Sequence, residues 1–381
     1  MADRTRWPSH RPRSGSRGRL RSNGAPRAPR GEAVCMKEVR MGFVGCGFMG
    51  QVAHIANFSA LPGCKMVAVA DPREDMAAQV AARYGIQRVY KDHTEMAQDS
   101  EVDAVAAILP HVANGPVAKD LLGAGKHVLL EKPLAVSVKQ GQEMADAAAQ
   151  AGVHLCVGYM KRFDAGVRWA REAIGSWASE DKTPKFVRAH CYGGDWICGN
   201  NEPIMTEESY PPLKVESGGP EDMDDEAKQD VQMFANIYSH NINLVRFLLG
   251  GEMTVLSVTS HADRMIVALA VGDTLISLEC GGMACQWWDE VTTTYFGDGY
   301  VDVKTPSPLL RNVPASVERY RAGDDGMRES PVLPWTWSFR NQAEAFLNTV
   351  RGETEPVNTA ADAVKDMELI EEIIRRKRGL R

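Results

Sequence analysis

Lys132 is the first residue whose place in the sequence indicates chemistry. It stands in Glu131-Lys132-Pro133, directly after an apolar segment at 126–130 that is typical of a buried strand. Ligands of open parallel sheets bind outside the carboxyl ends of the strands, so we expect the Lys132 ammonium in such a crevice. Pro133 fixes the backbone that follows and would help to hold this side chain in place. The alternative, for this segment alone, is an ordinary surface lysine.

Polar residues on one face of a predicted helix form the second candidate group. Within the helix predicted over 229–249, Asn236, His240 and Asn243 occur at i, i+4 and i+7 and therefore share a face. Buried polar groups need partners, which are either one another in the core or a ligand in a cavity. A histidine satisfied inside the core is the commoner outcome for such a stripe. The opposite face is expected to be apolar, with Met233, Ile237, Leu244 and Leu248.

A glycine-rich turn near residue 45 joins a predicted strand to a predicted helix. The apolar segment 39–44 runs directly into Gly45-x-Gly47-x-x-Gly50. Gly45 would permit a tight turn, Gly47 would let the backbone approach a pyrophosphate, and Gly50 would allow the helix to pack closely on the strand. The helix N-terminus would attract the anion. A glycine-rich turn of another α/β protein is the alternative, since the chain contains 34 Gly.

An acidic residue follows the next predicted strand and favours NAD as the cofactor. Asp71 comes directly after the apolar segment 65–70, about 20 residues beyond Gly50, where a carboxylate can accept both hydroxyls of an adenine ribose. The same carboxylate would repel the 2′-phosphate of NADP. Arg73 is able to tolerate that phosphate by swinging over it, so NADP is the alternative.

Apolar strands and helices alternate around these residues up to about residue 158. Strands separated by helices of this length imply βαβ units and a parallel sheet. We therefore predict a nucleotide-binding domain over residues 36–158. The predicted strands cover 39–44, 65–70, 103–109, 126–130 and 154–157, and the predicted helices cover 74–84, a stretch ending at 123, and 138–151.

From residue 159 onward, longer runs alternate between apolar and polar residues. Together with turns at 271–274 and 296–299, they predict a second α/β domain over 159–381 with a large, mostly antiparallel open sheet. The acidic, proline-rich segment 200–230 is expected to be a solvated excursion, and a loop over the site is the alternative. The predicted strands are 185–191, 253–260, 265–271, 274–280 and 286–296, and closing helices at 338–351 and 359–377 are expected to pack back on the first domain.

The first 35 residues differ from the rest of the chain. They contain nine Arg, no Lys and only two acidic residues, together with many Ser, Pro and Gly, so we expect a disordered basic tail. A basic arm or an organellar transit peptide is the functional alternative, and an over-extended gene start or dispensable leader is the interpretation that we favour. Removing the tail's charge of +7 from the total of −6 leaves −13, which makes the body a poor nucleic-acid binder.

The remaining composition is that of a globular cytoplasmic protein. With 381 residues, 44% of them hydrophobic, the chain is long enough for two domains. No secretory segment and no run of about 18 apolar residues is present, which argues against a membrane protein. Eight Cys are scattered without metal-binding spacing, so we expect reduced thiols and no metal. Cys46, within the glycine turn, is either a spacer or an oxidant-sensitive thiol.

Three motifs together resemble the Gfo/Idh/MocA oxidoreductases. They are Gly-Phe-Val-Gly-Cys-Gly-Phe-Met-Gly at 42–50, Ala-Gly-Lys-His-Val-Leu-Leu-Glu-Lys-Pro at 124–133, and Val-Gly-Tyr-Met-Lys-Arg-Phe-Asp at 157–164. The likeness covers residues 38–380. It implies a Rossmann domain, a C-terminal α/β domain whose open sheet mediates a homodimer or homotetramer, and NAD(P)-linked redox chemistry on sugars, cyclitols and related alcohols.

The resemblance also assigns roles to individual residues. The lysine of the family's Glu-Lys-Pro motif falls on Lys132, and its Asp-x-x-x-His helix falls on Asn236 and His240, with Asp replaced by Asn. A further polar position of the family falls on Asn114, for which helix capping is the simpler role. Substrate contacts are implied at Tyr159, Arg162 and Trp196, with a role in the core or an interface as the alternative for each, and Asn243 of the helical stripe is a further substrate candidate. Cofactor contacts are implied at Gly45, Gly47, Phe48, Met49, Gly50, Asp71, Arg73, Pro110, Glu131 and Lys132.

These roles lead to a hypothesis for the reaction. His240 would take the proton of a substrate hydroxyl while hydride passes to the nicotinamide, and Lys132 would stabilise the developing alkoxide as a cation. Asn236 would orient the hydroxyl or His240. Without a neighbouring carboxylate His240 would be a weak base, so oxidation is expected to improve on the alkaline side. Two alternatives remain at this point: a non-catalytic dinucleotide-binding regulator, and an enzyme that recycles a tightly bound cofactor.

Overall fold

The computed structural model describes residues 37–198, 203–212 and 218–380. The predicted basic tail over residues 1–35 lies outside these ranges. The chain from residue 37 onward clusters as one compact unit, so the proposed domain boundary near residue 158 stays a prediction.

The first half of the described chain forms a six-stranded sheet in which every neighbouring pair is parallel. Its strand order, β3-β2-β1-β4-β5-β6, reverses between β1 and β4, and ligands of such sheets bind at that point. This confirms the predicted Rossmann sheet and adds β3, a three-residue edge strand that the apolar pattern did not reveal. The strands are β1 (Val39–Val44), β2 (Cys64–Ala70), β3 (Arg88–Tyr90), β4 (Ala104–Ala107), β5 (His127–Leu130) and β6 (Leu155–Val157).

Helices connect these strands, and capping residues mark several of the helix ends. Gly85 and Gly152 take the left-handed conformation (φ 67° and 66°) directly after α2 and α5. The Ser137 side chain caps the start of α5 by accepting a hydrogen bond from the Gln140 N–H. The helices are α1 (π-helical over Gly50–Ile55 and α-helical over Ala56–Phe58), α2 (Glu74–Tyr84), α3 (His93–Ala97), α4 (Asn114–Gly123) and α5 (Val138–Ala151).

The second half contains an eight-stranded sheet with the order β14-β13-β12-β11-β7-β10-β9-β8. Among the described strands of this second sheet, only the central pair of β7 and β10 is parallel, which confirms the mostly antiparallel sheet and both predicted hairpin turns. The strands are β7 (Phe186–Gly193), β8 (Met253–His261), β9 (Arg264–Val271), β10 (Thr274–Gly282), β11 (Trp288–Phe296), β12 (Gly299–Lys304), β13 (Ser316–Arg321) and β14 (Met327–Glu329). The last three were not predicted.

Helix α7 (Asp225–Leu249) packs against this sheet and carries the predicted polar stripe. Its first half is rotated relative to the prediction, because Phe234 is buried while Met233 and Ile237 are 63% and 47% exposed. Moving the buried position by one residue corresponds to a rotation of roughly 100°. The stripe therefore runs from an exposed Asn236, through a half-buried His240, to a buried Asn243.

The closing helices pack on the elements of the parallel sheet. Helix α8 (Ser338–Val350) places Phe346 against Phe58, with ring centroids 6.5 Å apart. Helix α9 (Ala360–Arg378) contacts α5 and α7 and is preceded by Thr359, which bridges to Cys156 of β6. One more helix, α6 (Ala165–Ala178), covers the outer strands of the second sheet. Within the described ranges, no helix has the length and apolar character needed to cross a membrane.

Candidate functional site

The glycine turn between β1 and α1 has a geometry that fits a dinucleotide. Gly45 has φ +94°, and a Cβ there would lie 2.0 Å from the Ile108 carbonyl oxygen. A Cβ on Gly50 would lie 2.3 Å from the Gly45 carbonyl oxygen, so both positions require glycine. A Cβ on Gly47 would meet only the Arg73 Nη2 atom, at 3.8 Å. The space above Gly47 therefore suits the close approach of a pyrophosphate.

Asp71 lies beside this turn, at the end of β2. Its buried carboxylate accepts hydrogen bonds from the Cys46 N–H (2.8 Å) and from the N–H (3.0 Å), Nε (2.9 Å) and Nη2 (2.9 Å) of Arg73. A carboxylate offers about four lone-pair sites, so an adenine ribose would have to displace Arg73 donors to reach it. Burial raises the pKa of the Cys46 thiol to about 12, which favours its interpretation as a spacer.

The segment 203–212 lies over the glycine turn, so the expectation of a solvated excursion was wrong for these residues. The Ile204 N–H donates to Gln51 Oε1 (2.7 Å), and Gln51 Nε2 donates back to the Ile204 carbonyl (3.1 Å). The Trp196 ring, just before this segment, meets the Phe48 ring edge-on at 6.1 Å. Gln51 follows Gly50 directly, so Ile204 lies beside the glycine turn, whereas residues 218–230 contact other elements through Glu221 and Asp222. Negative charge and proline content did not reveal these pairings.

Lys132 projects from the end of β5 onto helix α7. Its Nζ atom donates to the backbone carbonyl of Asn236 (2.7 Å) and to the Asn236 Oδ1 atom (3.2 Å). His240 is one helical turn further along α7, so these contacts bring all three predicted catalytic residues together. Burial lowers the pKa of Lys132, the charge of Lys161 acts in the same direction, and Glu131 opposes them.

Within the described part of the chain, His240 has no hydrogen-bonded carboxylate that would make it a stronger base. Its Nδ1 atom is buried and unpaired among the described residues, and the Tyr159 ring meets the imidazole edge-on at 5.9 Å. Burial and the charges of Lys161 and Lys132 lower its pKa well below the usual 6.5. The imidazole is therefore neutral at pH 7, and any rise in activity from its deprotonation is expected below pH 6.5 rather than on the alkaline side.

Lys161 and Glu290 form a buried ion pair near His240 that the sequence analysis missed. Glu290 also accepts hydrogen bonds from Asn241 Nδ2 (2.8 Å) and Trp288 Nε1 (3.0 Å). An ion pair this buried is sensitive to the loss of either partner, since the remaining charge would be unpaired. The available signal was a glutamate on the inward face of the alternating strand β11.

Glu131 and Asn114 hold the segment that carries Lys132. The Glu131 carboxylate is 2.7 Å from His54 Nε2 and accepts from the Lys132 N–H at 3.1 Å, and its contact with a cofactor stays a prediction. Burial acts to raise the pKa of Glu131, but the His54 contact outweighs it and lowers the pKa. Asn114 Nδ2 donates to the carbonyls of Glu131 (2.9 Å) and Pro133 (2.8 Å) and does not cap α4.

Replacing Asn114 by alanine is expected to destabilise the protein and lower the activity that depends on Lys132. Two buried carbonyls would lose a hydrogen bond, which costs about 1–3 kcal/mol of unfolding free energy. Urea unfolding followed by circular dichroism measures this loss. Asn348→Ala, which removes one hydrogen bond to Arg351, is the control. Equal stability of the two variants would contradict the role of Asn114.

Arg162 and Asn243, for which substrate contacts are predicted, are bonded within the protein. Arg162 Nε donates to Asn243 Oδ1 (2.7 Å), its Nη2 atom is 2.6 Å from Asp362, and Asn243 Nδ2 donates to Asp366 (2.7 Å). Arg246 completes this buried network, which joins α7 to α9. These side chains hold α7 in place, and a substrate would have to break the network to use them.

The other residues with predicted contacts lie near His240, after β4 and at the glycine turn. Tyr159 is 1% exposed and packs edge-on against His240, and its contact with a substrate stays a prediction. Pro110 follows β4 at the point where the strand order reverses. Met49 and Phe48 are half-buried beside Trp337 and Phe339. Trp196 is 37% exposed at the glycine turn, so its substrate role stays a prediction.

The chain is similar in sequence to a family of oxidoreductases and to several known dehydrogenases. Residues 39–159 match the Gfo/Idh/MocA family, described as an oxidoreductase family with an NAD-binding Rossmann fold. The chain is 28% identical over 227 residues to scyllo-inositol 2-dehydrogenase (NAD(+)) of Bacillus subtilis strain 168, covering 59% of this chain and 57% of that protein. It is 24% identical to inositol 2-dehydrogenase of Rhizobium meliloti strain 1021, over 88% of this chain and 96% of the relative. The chain spans little more than half the length of the first of these relatives.

The solved structures extend the likeness over most of the chain. The aldose-aldose oxidoreductase of Caulobacter crescentus superposes with a TM-score of 0.70 at 19% identity, covering 90% of this chain and 98% of the other. Identity this low shows a shared fold alone. The match at the glycine turn and its sheet assigns to residues 39–159 the NAD-binding Rossmann fold of the Gfo/Idh/MocA oxidoreductase family.

Proposed function

We propose that this protein is an NAD(P)-dependent oxidoreductase that acts on a secondary alcohol of a sugar, glycoside or cyclitol. The observation that carries the proposal is the docking of Lys132 Nζ on Asn236, one turn before His240 on α7. A cation thus contacts α7 one turn before a neutral imidazole, at the carboxyl edge of the parallel sheet, where ligands of such sheets bind. Retention of both groups favours an enzyme over a non-catalytic regulator.

The proposed acid–base chemistry belongs to His240. Its Nδ1 atom is closed off from solvent, so Nε2 is the nitrogen that we propose to take the proton of the substrate hydroxyl. A neutral imidazole at pH 7 is the required form for that step. Tyr159, whose ring packs edge-on against the imidazole, would restrict its rotation. A nicotinamide, when bound, would accept or return hydride at the same carbon.

Lys132 would stabilise the oxygen from which the proton leaves. An ammonium can donate a hydrogen bond to a developing alkoxide, and in a partly buried site that interaction is stronger than in water. Its present acceptors on Asn236 show that the side chain reaches α7. Asn236 supplies an amide in place of a carboxylate, so it would orient groups without carrying a proton.

The relatives support a polyol as the substrate class. Inositol 2-dehydrogenases of Bacillus subtilis and Rhizobium meliloti act on cyclitols by name, so we propose inositols and related sugars for this chain. The test is a panel of sugars, inositols and glycosides with NAD and with NADP, followed by the absorbance of the reduced cofactor. Turnover of at least one polyol supports the proposal. Binding of the cofactor without turnover of any panel member would favour the regulator instead.

Asn236→Asp is expected to move the pH dependence of the reaction upward. A carboxylate within reach of Lys132 Nζ would favour its charged form, and the same charge one turn from His240 would raise the imidazole pKa. Both limbs of the kcat/KM profile should shift by about one pH unit. Asn236→Ala, which adds no charge, is the control and should shift neither limb upward. An unchanged profile in the Asp variant would rule out this electrostatic link.

Two proposals concern where the protein works and how it assembles. We propose a cytoplasmic location, supported by the absence of disulfide bonds among the cysteines that the structure describes.

We also propose a homodimer or homotetramer that uses the open face of the second sheet. That face exposes apolar side chains unusual for a free surface, at Leu256, Ile266, Leu275 and Tyr295.

A further inference from the structure

The segment 203–212 brings a carboxylate to the adenosine end of the dinucleotide site. Glu208 accepts hydrogen bonds from the backbone N–H groups of Asp75 (3.2 Å) and Met76 (3.1 Å), at the start of α2. Helix α2 has no side-chain cap from the residue that precedes it. Glu208 therefore supplies the missing acceptors from a part of the chain more than 130 residues away.

The same segment holds Glu208 in place through further contacts. The Thr206 hydroxyl is 3.3 Å from a Glu208 oxygen and 3.3 Å from an Asp75 oxygen. The Tyr210 ring lies under the Arg73 guanidinium, 5.0 Å from the ring centroid, which is within the range of a cation–π contact. These contacts join the segment to Arg73 and to the first turn of α2.

Negative charge predominates around this helix start. Across residues 71–76 and Glu208, four carboxylates accompany a single guanidinium, that of Arg73. Arg73 is itself bonded to Asp71 through Nε and Nη2. Partial burial acts to raise the pKa of Glu208, but the backbone hydrogen bonds outweigh it and lower the pKa. The carboxylate is therefore charged at neutral pH.

NAD and NADP differ by a phosphate on the adenine ribose, close to the residues that follow β2. Backbone N–H groups at a helix start are ready partners for a phosphate. At α2 those of Asp75 and Met76 are already occupied by Glu208. We propose that Glu208 makes the site select NAD over NADP, by filling these donors and by repelling the 2′-phosphate. This inference rests on the proposed function, since it requires a dinucleotide at this turn.

Asp71 is less suited to reject the phosphate than Glu208. Its carboxylate is fully buried and paired with Arg73, and a guanidinium attracts phosphate through paired hydrogen bonds. In the sequence, Asp71 is the residue that favours NAD. In the structure the additional charge comes from the second half of the chain, outside the residues that match the family.

Binding of NADH and NADPH to the full-length protein tests the proposal without relying on activity. Isothermal titration calorimetry would compare wild type with Glu208→Gln and with Glu207→Gln, a control that removes the same charge from an exposed neighbour. In Glu208→Gln the affinity for NADPH should rise by about tenfold relative to that for NADH. Glu207→Gln should leave the ratio as in wild type.

Two further measurements test the proposal: the effect of ionic strength on cofactor binding, and the binding of each cofactor to wild type. Because the repulsion is electrostatic, raising ionic strength should improve NADPH binding relative to NADH in wild type and less so in Glu208→Gln. If wild type binds NADH, and the ratio of NADH affinity to NADPH affinity is the same in wild type and Glu208→Gln, the role of Glu208 is overturned. The proposed function would then remain intact. Failure of wild type to bind either cofactor would overturn both.

Discussion

Replacing His240 by alanine is expected to lower kcat/KM for polyol oxidation by about 10²- to 10⁴-fold. The imidazole is the proposed proton acceptor, and no carboxylate among the described residues contacts its Nδ1 atom to take over that task. The affinity for NADH should stay close to that of wild type, since the glycine turn lies on other elements. Steady-state kinetics and calorimetry measure the two effects separately.

The pH profile of wild type gives a second check on His240. Because its pKa is lowered well below 6.5, the deprotonated form is complete by neutral pH, and the acid limb of kcat/KM should lie below pH 6.5. His261→Ala is the matched control, since this histidine is exposed at the end of β8. Near-wild-type kcat/KM in His240→Ala would remove this residue from the mechanism.

Replacing Lys132 by methionine is expected to lower kcat/KM by about 10²- to 10³-fold, because the developing alkoxide would lose its cation. Lys132→Arg keeps the charge and should recover part of the activity. The two variants should bind NADH similarly, so the loss would appear in kcat. Lys139→Met, at an exposed lysine on α5, is the control for removing a positive charge.

Whether kcat/KM falls or rises at alkaline pH distinguishes a Lys132 that acts as a cation from a Lys132 that acts as the base. Burial lowers its pKa below the usual value of about 10.4, so the ammonium is lost as the pH rises through that lowered pKa. If Lys132 acts as a cation, kcat/KM should fall along this limb, and the fall should disappear in Lys132→Arg because arginine stays charged. A rise through the same pH range would instead identify Lys132 as the base.

Local patterns predicted the elements that carry the site with little error. The bounds of α2 and α5 follow from a capping serine and from glycines that can take the left-handed conformation, all of which are sequence-local signals. The glycine turn has the φ value and close packing that its spacing indicates. The position of Lys132 followed from one general rule, that ligands lie at the carboxyl ends of parallel strands.

Contacts whose partner lies far away in the chain were not predicted. The Glu131, Arg162 and Asn243 side chains were expected to face ligands, but each is bonded to residues of other elements. A polar side chain has the same appearance in a sequence whether its partner is a ligand or a distant residue. The rotation of the first half of α7 has the same origin, because apolar residues occur on more than one of its faces.

The sequence by itself determined the Rossmann turn, the alternation that builds both sheets, and the two groups proposed for catalysis, because each depends on short-range periodicity or on a strand end. Only the tertiary structure decided that Lys132 reaches Asn236, that Lys161 pairs with Glu290, and that Glu208 occupies the start of α2. These contacts join residues about 100 or more positions apart. Their formation depends on the packing of both sheets together, which no local pattern encodes.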